Sequence, residues 1–379
     1  MHSSGWRKKL AERVASLYYR ERRVVEWAAP AHLIDFASND YLGLHKHPRV
    51  IERLVGAAQR YGFGSGASPL VTGYSAAHQE VEQAFAQWLG VERALLFGSG
   101  YAANIGVFAA LCQRHEVIFS DKLSHASILD GILLSRAKHI RFQHNNMTHV
   151  AQLAESNPPD WIVTESIFSM EGDIAPIPAL VALAKHYGAG LIIDDAHGIG
   201  VLGNTGQGIK EHCALSPEDY TCLMMPLGKA FNAMGAMVAG SQEVIEAILQ
   251  FSRSYCYSTA IPPLVCVGIL AALDVMIEEP WRHQRLQENI EFFMKYATHQ
   301  GLTMVATDRT PIQSVMVVGN ENVLSVQATL LSQGFYTAAI RSPTVPAGTE
   351  RLRLSIHAHH TEQQLMQLVD HIVESIGPC

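Results

Sequence analysis

Short apolar runs alternate with amphipathic stretches through most of the chain, an order typical of a parallel α/β sheet. The runs with the length and continuity of buried strands lie at residues 93–97, 117–120, 161–164, 191–193 and 222–225. Helical patterns, the clearest at 76–89 and 177–187, separate several of these runs. Because strand and helix alternate, we expect a mostly parallel sheet covered by helices on both faces.

The pattern changes towards both ends of the chain. Leu10 and Val14 fall at helical spacing, which predicts an N-terminal amphipathic helix lying on the main body. From about residue 284, a long helix, two strands and a terminal helix follow, which indicates a smaller α+β domain. The predicted organisation is an N-terminal helix and segment at 1–45, a large ligand-binding domain at 46–283 and a small α+β domain at 284–379.

Composition narrows the classes of function. With 379 residues, of which 48% are hydrophobic and 17% charged, the chain can bury a large core. The net charge of −7, without a basic stripe, argues against nucleic acid as a partner. The most apolar stretch, 262–277, is shorter than the roughly 20 residues of a membrane span, so no membrane is expected. The six cysteines are scattered, which indicates a reducing compartment and predicts a cytoplasmic protein. Their spacing fits no metal-binding motif, so no metal centre is expected.

The strongest chemical signal is the stretch GLIIDDAH at 190–197. Its apolar part predicts a buried strand, and Asp194 and His197 follow at the strand's carboxyl end, where ligands bind in open α/β sheets. A single lysine, Lys229, follows a second strand pattern. Lysine, carboxylate and imidazole together predict pyridoxal 5′-phosphate: the lysine can hold the aldehyde, and Asp194 can keep the pyridine nitrogen protonated.

A phosphate site is predicted at the start of the helix that follows strand 93–97. The segment GSGYAAN at 98–104 opens this helix, and unpaired N–H groups at a helix start bind anions. The same segment supports an alternative, because Gly98, Gly100 and Ala103 also fit a dinucleotide fingerprint, with Asp121 where a ribose-binding acid would sit. A nicotinamide-dependent dehydrogenase is therefore the competing interpretation, although it leaves Lys229 without a role.

Motifs along nearly the whole chain resemble those of the α-oxoamine synthases, a group of fold-type I pyridoxal phosphate enzymes. The matching motifs are SNDYLGL, VTGYSAAHQ, SGYAAN, DKLSHAS, TESIFSMEGD, DDAHGIGVLG, LGKAF and IRSPTVPAGTERLRLS. The resemblance implies decarboxylative condensation of an amino acid with an acyl thioester. It is greatest to the members in biotin biosynthesis, which join L-alanine to pimeloyl-CoA or pimeloyl-acyl carrier protein. Glycine-using members of the 2-amino-3-oxobutyrate ligase and 5-aminolevulinate synthase types remain alternatives.

The resemblance also implies a role for individual residues. Lys229 would carry the cofactor and then remove the Cα proton, Asp194 would pair with the pyridine nitrogen, and His125 would stack on the ring and help to orient the substrate carboxylate. His197 and Ser169 would bind the phenolic oxygen. The remaining implied cofactor contacts are Gly100, Tyr101 and, from a neighbouring subunit, Thr259.

On the substrate side, the resemblance implies that Arg353 binds the amino-acid carboxylate. The residues expected to line the acyl-substrate side are Arg20, Asn39, Arg341 and Thr344. In the family that the chain resembles, the active sites lie between two subunits, so the resemblance also implies a homodimer. The sequence departs from the family at one position: where a threonine that binds phosphate commonly stands three residues before the lysine, this chain has Pro226.

Overall fold

The computed structural model describes residues 4–16, 18–19, 22, 24–25, 33–306 and 308–376. The strands are β1 (Ile34–Asp35), β2 (Arg93–Phe97), β3 (Val117–Asp121), β4 (Lys138–Phe142), β5 (Trp161–Glu165), β6 (Gly190–Asp194), β7 (Cys222–Pro226), β8 (Ala236–Gly240), β9 (Ile312–Met316), β10 (Phe335–Tyr336), β11 (Ala338–Ile340) and β12 (Arg351–Ser355).

The helices are α1 (Ser4–Ala15), α2 (Pro48–Tyr61), α3 (Ala76–Leu89), α4 (Gly100–Leu111), α5 (Ala126–Ser135), α6 (Met147–Ser156), α7 (Ile177–Tyr187), α8 (Ile209–His212), α9 (Gln242–Phe251), α10 (Arg253–Cys256), α11 (Pro263–Glu278), α12 (Trp281–His299), α13 (Asn320–Ser332) and α14 (Glu362–Ile376). A π-helical turn spans Pro69–Gly73, and a 3₁₀ turn spans Pro217–Asp219. Among the helices described, none has both the length and the apolar character that crossing a lipid bilayer requires.

A seven-stranded sheet forms the centre of the large domain, in the order β2-β8-β7-β6-β5-β3-β4. Strand β8 runs antiparallel to both of its neighbours, whereas the pairs from β7 to β4 are parallel. Strands β3, β5, β6 and β7 are mostly buried, as expected for a sheet with helices on both faces, whereas the edge strand β4 is largely exposed or half-buried. Their carboxyl ends therefore meet at one edge, which is where the polar residues after β5, β6 and β7 lie.

The region predicted as a small domain contains an antiparallel sheet in the order β11-β12-β9, together with α12, α13 and α14. Its middle strand, β12, is buried along its whole length and carries Arg351 and Arg353. A second, two-stranded sheet joins β1 to β10 in parallel, with Ile34 opposite Phe335 and Asp35 opposite Tyr336. The segment that follows β1 is therefore attached to the C-terminal part of the chain.

Most predicted strands and helices of the large domain are confirmed to within a few residues, and α7 matches its prediction. The expectation for the N-terminal helix is wrong in one respect. Helix α1 forms, but its described side chains, at residues 5–15, are exposed, including those of Trp6, Leu10 and Val14, so in the single chain they do not pack on the main body. The segment 36–44 forms turns and irregular backbone.

Candidate active site

A cavity of about 360 Å³ lies at the carboxyl ends of β5, β6 and β7. This volume is within the range of roughly 300–1,000 Å³ that is usual for small-molecule sites. Most of its lining residues lie around the seven-stranded sheet, while β12 contributes Arg353 and the segment after β1 contributes Asn39. The lining residues are Asn39, Gly100, Tyr101, Asn104, His125, Ser127, Glu165, Ser169, Met170, Asp194, Ala196, His197, Pro226, Lys229 and Arg353.

Lys229 reaches this cavity from the loop after β7. Burial lowers the pKa of its ammonium group, while the carboxylates of Asp194 and Glu165 oppose that shift and Arg353 adds to it. Among the residues that line the cavity in the described part of the chain, Lys229 is the only amine. A buried amine with a lowered pKa can act as a nucleophile and as a base, which agrees with the predicted role.

Asp194, the last residue of β6, is held in place by two donors. Its Oδ1 accepts a hydrogen bond from the backbone N–H of Ala196 at 3.0 Å, and its Oδ2 accepts one from Asn104 Nδ2 at 2.9 Å. Asn104 Nδ2 also donates to Ser127 Oγ at 2.8 Å. One buried amide on α4 therefore orients both the carboxylate and a hydroxyl on α5.

The Ser127 hydroxyl in turn fixes the ring of His125. Nδ1 of His125 lies 2.7 Å from Ser127 Oγ and 3.3 Å from the Ser127 N–H, which caps the start of α5. Because a backbone N–H can only donate, Nδ1 carries the lone pair and the ring proton is on Nε2. Burial lowers the pKa of His125, so the ring is neutral near pH 7.

Glu165 places a second carboxyl group beside Asp194. It ends β5 directly opposite Asp194 in the sheet register, and its Oε1 accepts the backbone N–H of His125 at 2.6 Å. Burial, and then the charge of Asp194, raise the pKa of Glu165 well above its ordinary value. The neutral form that these effects favour can donate a hydrogen bond into the cavity, which an ionised carboxylate cannot do.

His197 is oriented by Tyr41, a fully buried residue of the segment after β1. The Tyr41 hydroxyl donates to Asn39 Oδ1 at 3.1 Å, so it accepts the 2.7 Å contact from the Nδ1–H of His197. This tautomer leaves Nε2 of His197 with a lone pair. Burial lowers the pKa of His197 well below its ordinary value, and Lys229 adds to the effect, so the ring is neutral.

Arg353 projects from β12 and is buried at the side of the cavity. Its Nε donates to the Ser169 carbonyl oxygen at 2.7 Å, and its Nη2 donates to Asn39 Oδ1 at 3.1 Å. A third bond links Nη1 to Ser355 Oγ at 3.3 Å. These bonds set the plane of a guanidinium that suits two-point binding of a carboxylate.

The start of α4 provides an anion site in the wall of the cavity. Ser99 Oγ accepts the N–H of Ala102 at 3.1 Å, whereas the N–H groups of Gly100 and Tyr101 have no acceptor within the helix. A Cβ at Gly100 would lie 2.6 Å from Cγ of Pro226, so only glycine fits against the proline ring. The free N–H groups, Asp194 and the half-buried Lys229 form a donor and acceptor set that fits pyridoxal phosphate.

Pro226 removes both the hydroxyl and the N–H that threonine would offer at this position. We expect Pro226→Thr to slow the loss of cofactor on dialysis. One hydrogen bond to a charged group is worth roughly 1.5–3 kcal/mol, or about 10- to 100-fold in affinity. The measurement is the rate at which the cofactor absorbance leaves the protein fraction.

Pro226→Val is the matched control, because valine has nearly the shape of threonine but no hydroxyl. Both variants lose the contact between the proline ring and Gly100. If the valine variant holds the cofactor as well as the threonine variant, the ring determines the effect and the hydroxyl does not. Equal or faster loss from the threonine variant than from the parent would show that the site already has enough donors.

The structure brings most of the predicted site residues to one cavity. Lys229, His125, Asp194, His197, Gly100, Tyr101, Ser169, Asn39 and Arg353 all line it. Thr259, Arg341 and Thr344 do not line it in the single chain; Thr259 and Thr344 are exposed, and Arg341 Nη2 donates to the Tyr19 carbonyl oxygen. Arg20 lies outside the described residues.

Asn104, Glu165 and Tyr41 also belong to the site, although the sequence reasoning did not assign them roles. Glu165 ends an apolar run next to the Asp194 strand, and this position could have identified it. The dinucleotide alternative loses its ribose-binding acid. Asp121 does not line the cavity, and its carboxylate accepts the N–H groups of Leu123 and Asn145.

Comparison with known proteins agrees with this geometry. Residues 31–372 match the family "Aminotransferase class I and II". The chain is 43% identical to 8-amino-7-oxononanoate synthase of Stutzerimonas stutzeri over 374 residues, which covers 97% of this chain and 95% of the relative. The corresponding protein of Pseudomonas aeruginosa is also 43% identical, with 97% and 93% covered.

Solved structures with the same fold include Sphingomonas wittichii serine palmitoyltransferase, with a TM-score of 0.93, 26% identity and 99% and 98% of the two chains covered. A structure of SPT with PLP has a TM-score of 0.90 at 27% identity, with 98% and 96% covered. 8-Amino-7-oxononanoate synthase from Francisella tularensis has a TM-score of 0.80 at 32% identity, with 90% and 96% covered.

These matches confirm the predicted fold class, the resemblance to the α-oxoamine synthases and the assignment to pyridoxal phosphate enzymes. The cavity at the carboxyl edge of the sheet contains the lysine and the strand-end aspartate that the sequence predicts for such an enzyme. The chain belongs to the aminotransferase class I and II family.

Proposed function

We propose that this chain is a pyridoxal phosphate-dependent 8-amino-7-oxononanoate synthase. It would condense L-alanine with a pimeloyl thioester, with release of carbon dioxide and the thiol carrier. The observation that carries the proposal is the single cavity that combines Lys229, Asp194 and Arg353. The 43% identity to relatives of that name over nearly the whole chain supports the choice among α-oxoamine synthases.

Pyridoxal phosphate, when bound, supplies an electron sink for the electron pair left at the amino acid's Cα when a bond to that carbon breaks. Lys229 would hold the cofactor and then take the Cα proton on Nζ. Burial prepares it for this step, because a lowered pKa raises the fraction of neutral amine near pH 7.

Asp194 would hold the protonated pyridine nitrogen, since Asn104 and Ala196 keep its carboxylate in one orientation. His197 and Ser169 would contact the phenolic oxygen. The N–H groups of Gly100 and Tyr101 would bind the phosphate at the start of α4. Each contact is made by a residue that already lines the cavity.

Arg353 would bind the carboxylate of the amino acid through its guanidinium. His125, neutral and fixed by Ser127, would stack on the cofactor ring and help to orient that carboxylate. Asn39 bonds to Arg353 and lies beside it on the acyl-substrate side. Arg20, Arg341 and Thr344 are proposed for the same side, where the pimeloyl thioester enters.

We further propose a homodimer that completes the site. Several large apolar side chains are exposed in the single chain: Phe63 at 94%, Tyr257 at 77%, Leu133 at 75% and Val71 at 74%. Exposed apolar side chains that come together in one patch often mark a protein contact. Thr259, exposed two residues after Tyr257, would reach the phosphate bound to the second subunit.

Five free cysteines in the described chain support the proposed cytoplasmic location.

The test is to incubate purified holoenzyme with L-alanine, glycine or L-serine, each with pimeloyl-CoA, pimeloyl-acyl carrier protein or a shorter acyl thioester, and to identify the products by mass. We expect 8-amino-7-oxononanoate from alanine and a pimeloyl thioester. Turnover only with glycine and a shorter acyl thioester would instead assign the chain to the glycine-using synthases. Light scattering on the same sample should give twice the chain mass of 41.6 kDa, and a monomeric mass would contradict the shared site.

A further inference from the structure

Three histidines form a cluster between the small domain and the segment after β1. His357, His359 and His360 follow β12, and one ring nitrogen from each lies within 4.8 Å of the other two. His357 and His360 are buried, whereas His359 is exposed. The cluster is separate from the candidate active site, because none of the three lines that cavity.

His357 presents an unused lone pair. Its Nε2 lies 3.1 Å from the Ser38 carbonyl oxygen, which can only accept, so Nε2 carries the proton and Nδ1 does not. Nδ1 is buried and has no hydrogen-bond partner among the described residues. An imidazole that donates one N–H to a backbone carbonyl and leaves the other nitrogen free has the arrangement usual for a metal ligand.

His360 has the same tautomer. Its Nε2 donates to the Asp35 carbonyl oxygen at 2.9 Å, and its Nδ1 accepts the backbone N–H of His357 at 3.1 Å. To bind a metal through Nδ1 it would exchange this one hydrogen bond for a coordinate bond. Its ring stacks on that of His357, with centroids 4.7 Å apart, so the two residues are already adjacent.

His359 closes the cluster from the solvent side. Its ring centroid lies 5.0 Å from that of His357 and 5.2 Å from that of His360. A Cβ on Gly43, which has a φ of +68°, would lie 2.9 Å from Nδ1 of His359, so glycine is what lets the loop approach the ring. The exposed ring gives a metal ion access to the buried nitrogen of His357.

Acidic and basic side chains both lie beside the cluster. A cavity of about 500 Å³ beside the cluster is lined by His359 and His360 together with Asp35 and Asp40. The Asp40 carboxylate interacts favourably with a positive charge at His359, and Arg282 opposes it. Asp40 Oδ2 also lies 2.5 Å from Nδ1 of His45, which places a fourth imidazole at the same cavity.

We propose that His357, His359 and His360 bind a first-row divalent transition metal of the zinc type. Imidazole nitrogens suit these ions, and a three-histidine site leaves a coordination position for water. All three ligands belong to the loop after β12, and His357 and His360 donate to carbonyl oxygens of Ser38 and Asp35, so a bound metal would fix the rings that hold the segment with Asn39 and Tyr41. It would therefore stabilise one wall of the candidate active site without touching the reacting groups.

The test is a calorimetric titration of the metal-free holoenzyme with ZnCl₂. We expect one saturable zinc site per chain. His359→Ala should lower the zinc affinity by about tenfold or more, because loss of a hydrogen-bond partner of a ligand already lowers metal affinity by about that factor, and loss of the ligand itself should lower it at least as much. His359 is exposed, so its removal should leave the folded protein intact. His115→Ala, at another exposed histidine in the large domain, is the matched control and should bind like the parent.

Cobalt absorption identifies the ligand atoms. Co²⁺ at the proposed site should give ligand-field bands without an intense thiolate charge-transfer band, and the bands should disappear in His359→Ala. A thiolate band would assign the metal to a cysteine and overturn the proposal. So would the absence of saturable binding in the parent, or equal weakening in His359→Ala and His115→Ala.

Discussion

Lys229→Ala should abolish nearly all turnover, with a loss of about 10²- to 10⁴-fold, the usual contribution of a positioned acid or base. No other amine lines the cavity in the described chain, so no neighbouring side chain can bind the cofactor aldehyde in its place. Borohydride reduction of the parent should attach the cofactor's mass to the peptide that contains Lys229, and this addition should be absent from the variant.

Lys185→Ala is the matched control for this prediction. The Lys185 side chain is exposed on α7, pairs with Asp219 and lies outside the cavity. It should retain parental turnover and the same labelled peptide. Cofactor mass on a different peptide, or a Lys229→Ala protein with near-parental turnover, would show that another group holds the cofactor.

Asp194→Asn should keep the fold and the cofactor but lose turnover by about 10²- to 10³-fold, the size expected for removing one preorganised electrostatic contact. A neutral amide cannot keep the pyridine nitrogen protonated, so the ring withdraws electrons less well. The fold should survive because Oδ1 of Asn104 is buried and unpaired, and a flip of that amide would offer it to the new NH₂ group. The measurements are kcat and the thermal unfolding midpoint.

Asp195→Asn is the matched control, since Asp195 adjoins Asp194 but does not line the cavity. Burial raises the pKa of Asp195 to about 7, and its Oδ2 accepts the Ile209 N–H at 2.9 Å. An amide resembles the protonated acid that burial favours, so we expect little change in kcat. If Asp195→Asn loses the rate and Asp194→Asn keeps it, the roles of the two carboxylates are exchanged.

The position of the candidate site at the carboxyl edge of the central sheet could be predicted because the sequence signals for it are local. Asp194 and Lys229 each follow an apolar run, and strands that are parallel in a sheet bring such positions together. The start of α4 could also be predicted, because Ser99 caps it within four residues. These inferences need only the strand order, which the alternation of strands and helices restricts to few possibilities.

Other parts of the site depend on contacts that are distant in sequence. Asn104 looks like an ordinary helical residue until α4, α5 and β6 pack and place its amide between Ser127 and Asp194. Tyr41 acquires its role only when it meets His197, a residue of the large domain. Arg353 was assigned from the family resemblance, because the pattern of β12 does not distinguish it from Arg351. The exposure of α1 was likewise not predictable, since an apolar stripe does not identify the surface that would cover it.

The pairing of β1 with β10 also constrains the order in which parts of the chain can fold during synthesis. Ile34 leaves the ribosome early, but its partner Phe335 is synthesised about three hundred residues later. The seven strands of the central sheet all precede residue 241, so that sheet can assemble while the segment with Asn39 and Tyr41 still lacks its final partner. That wall of the cavity therefore cannot take its final position until synthesis is nearly complete, so a truncated chain has an incomplete site even when its central sheet has formed.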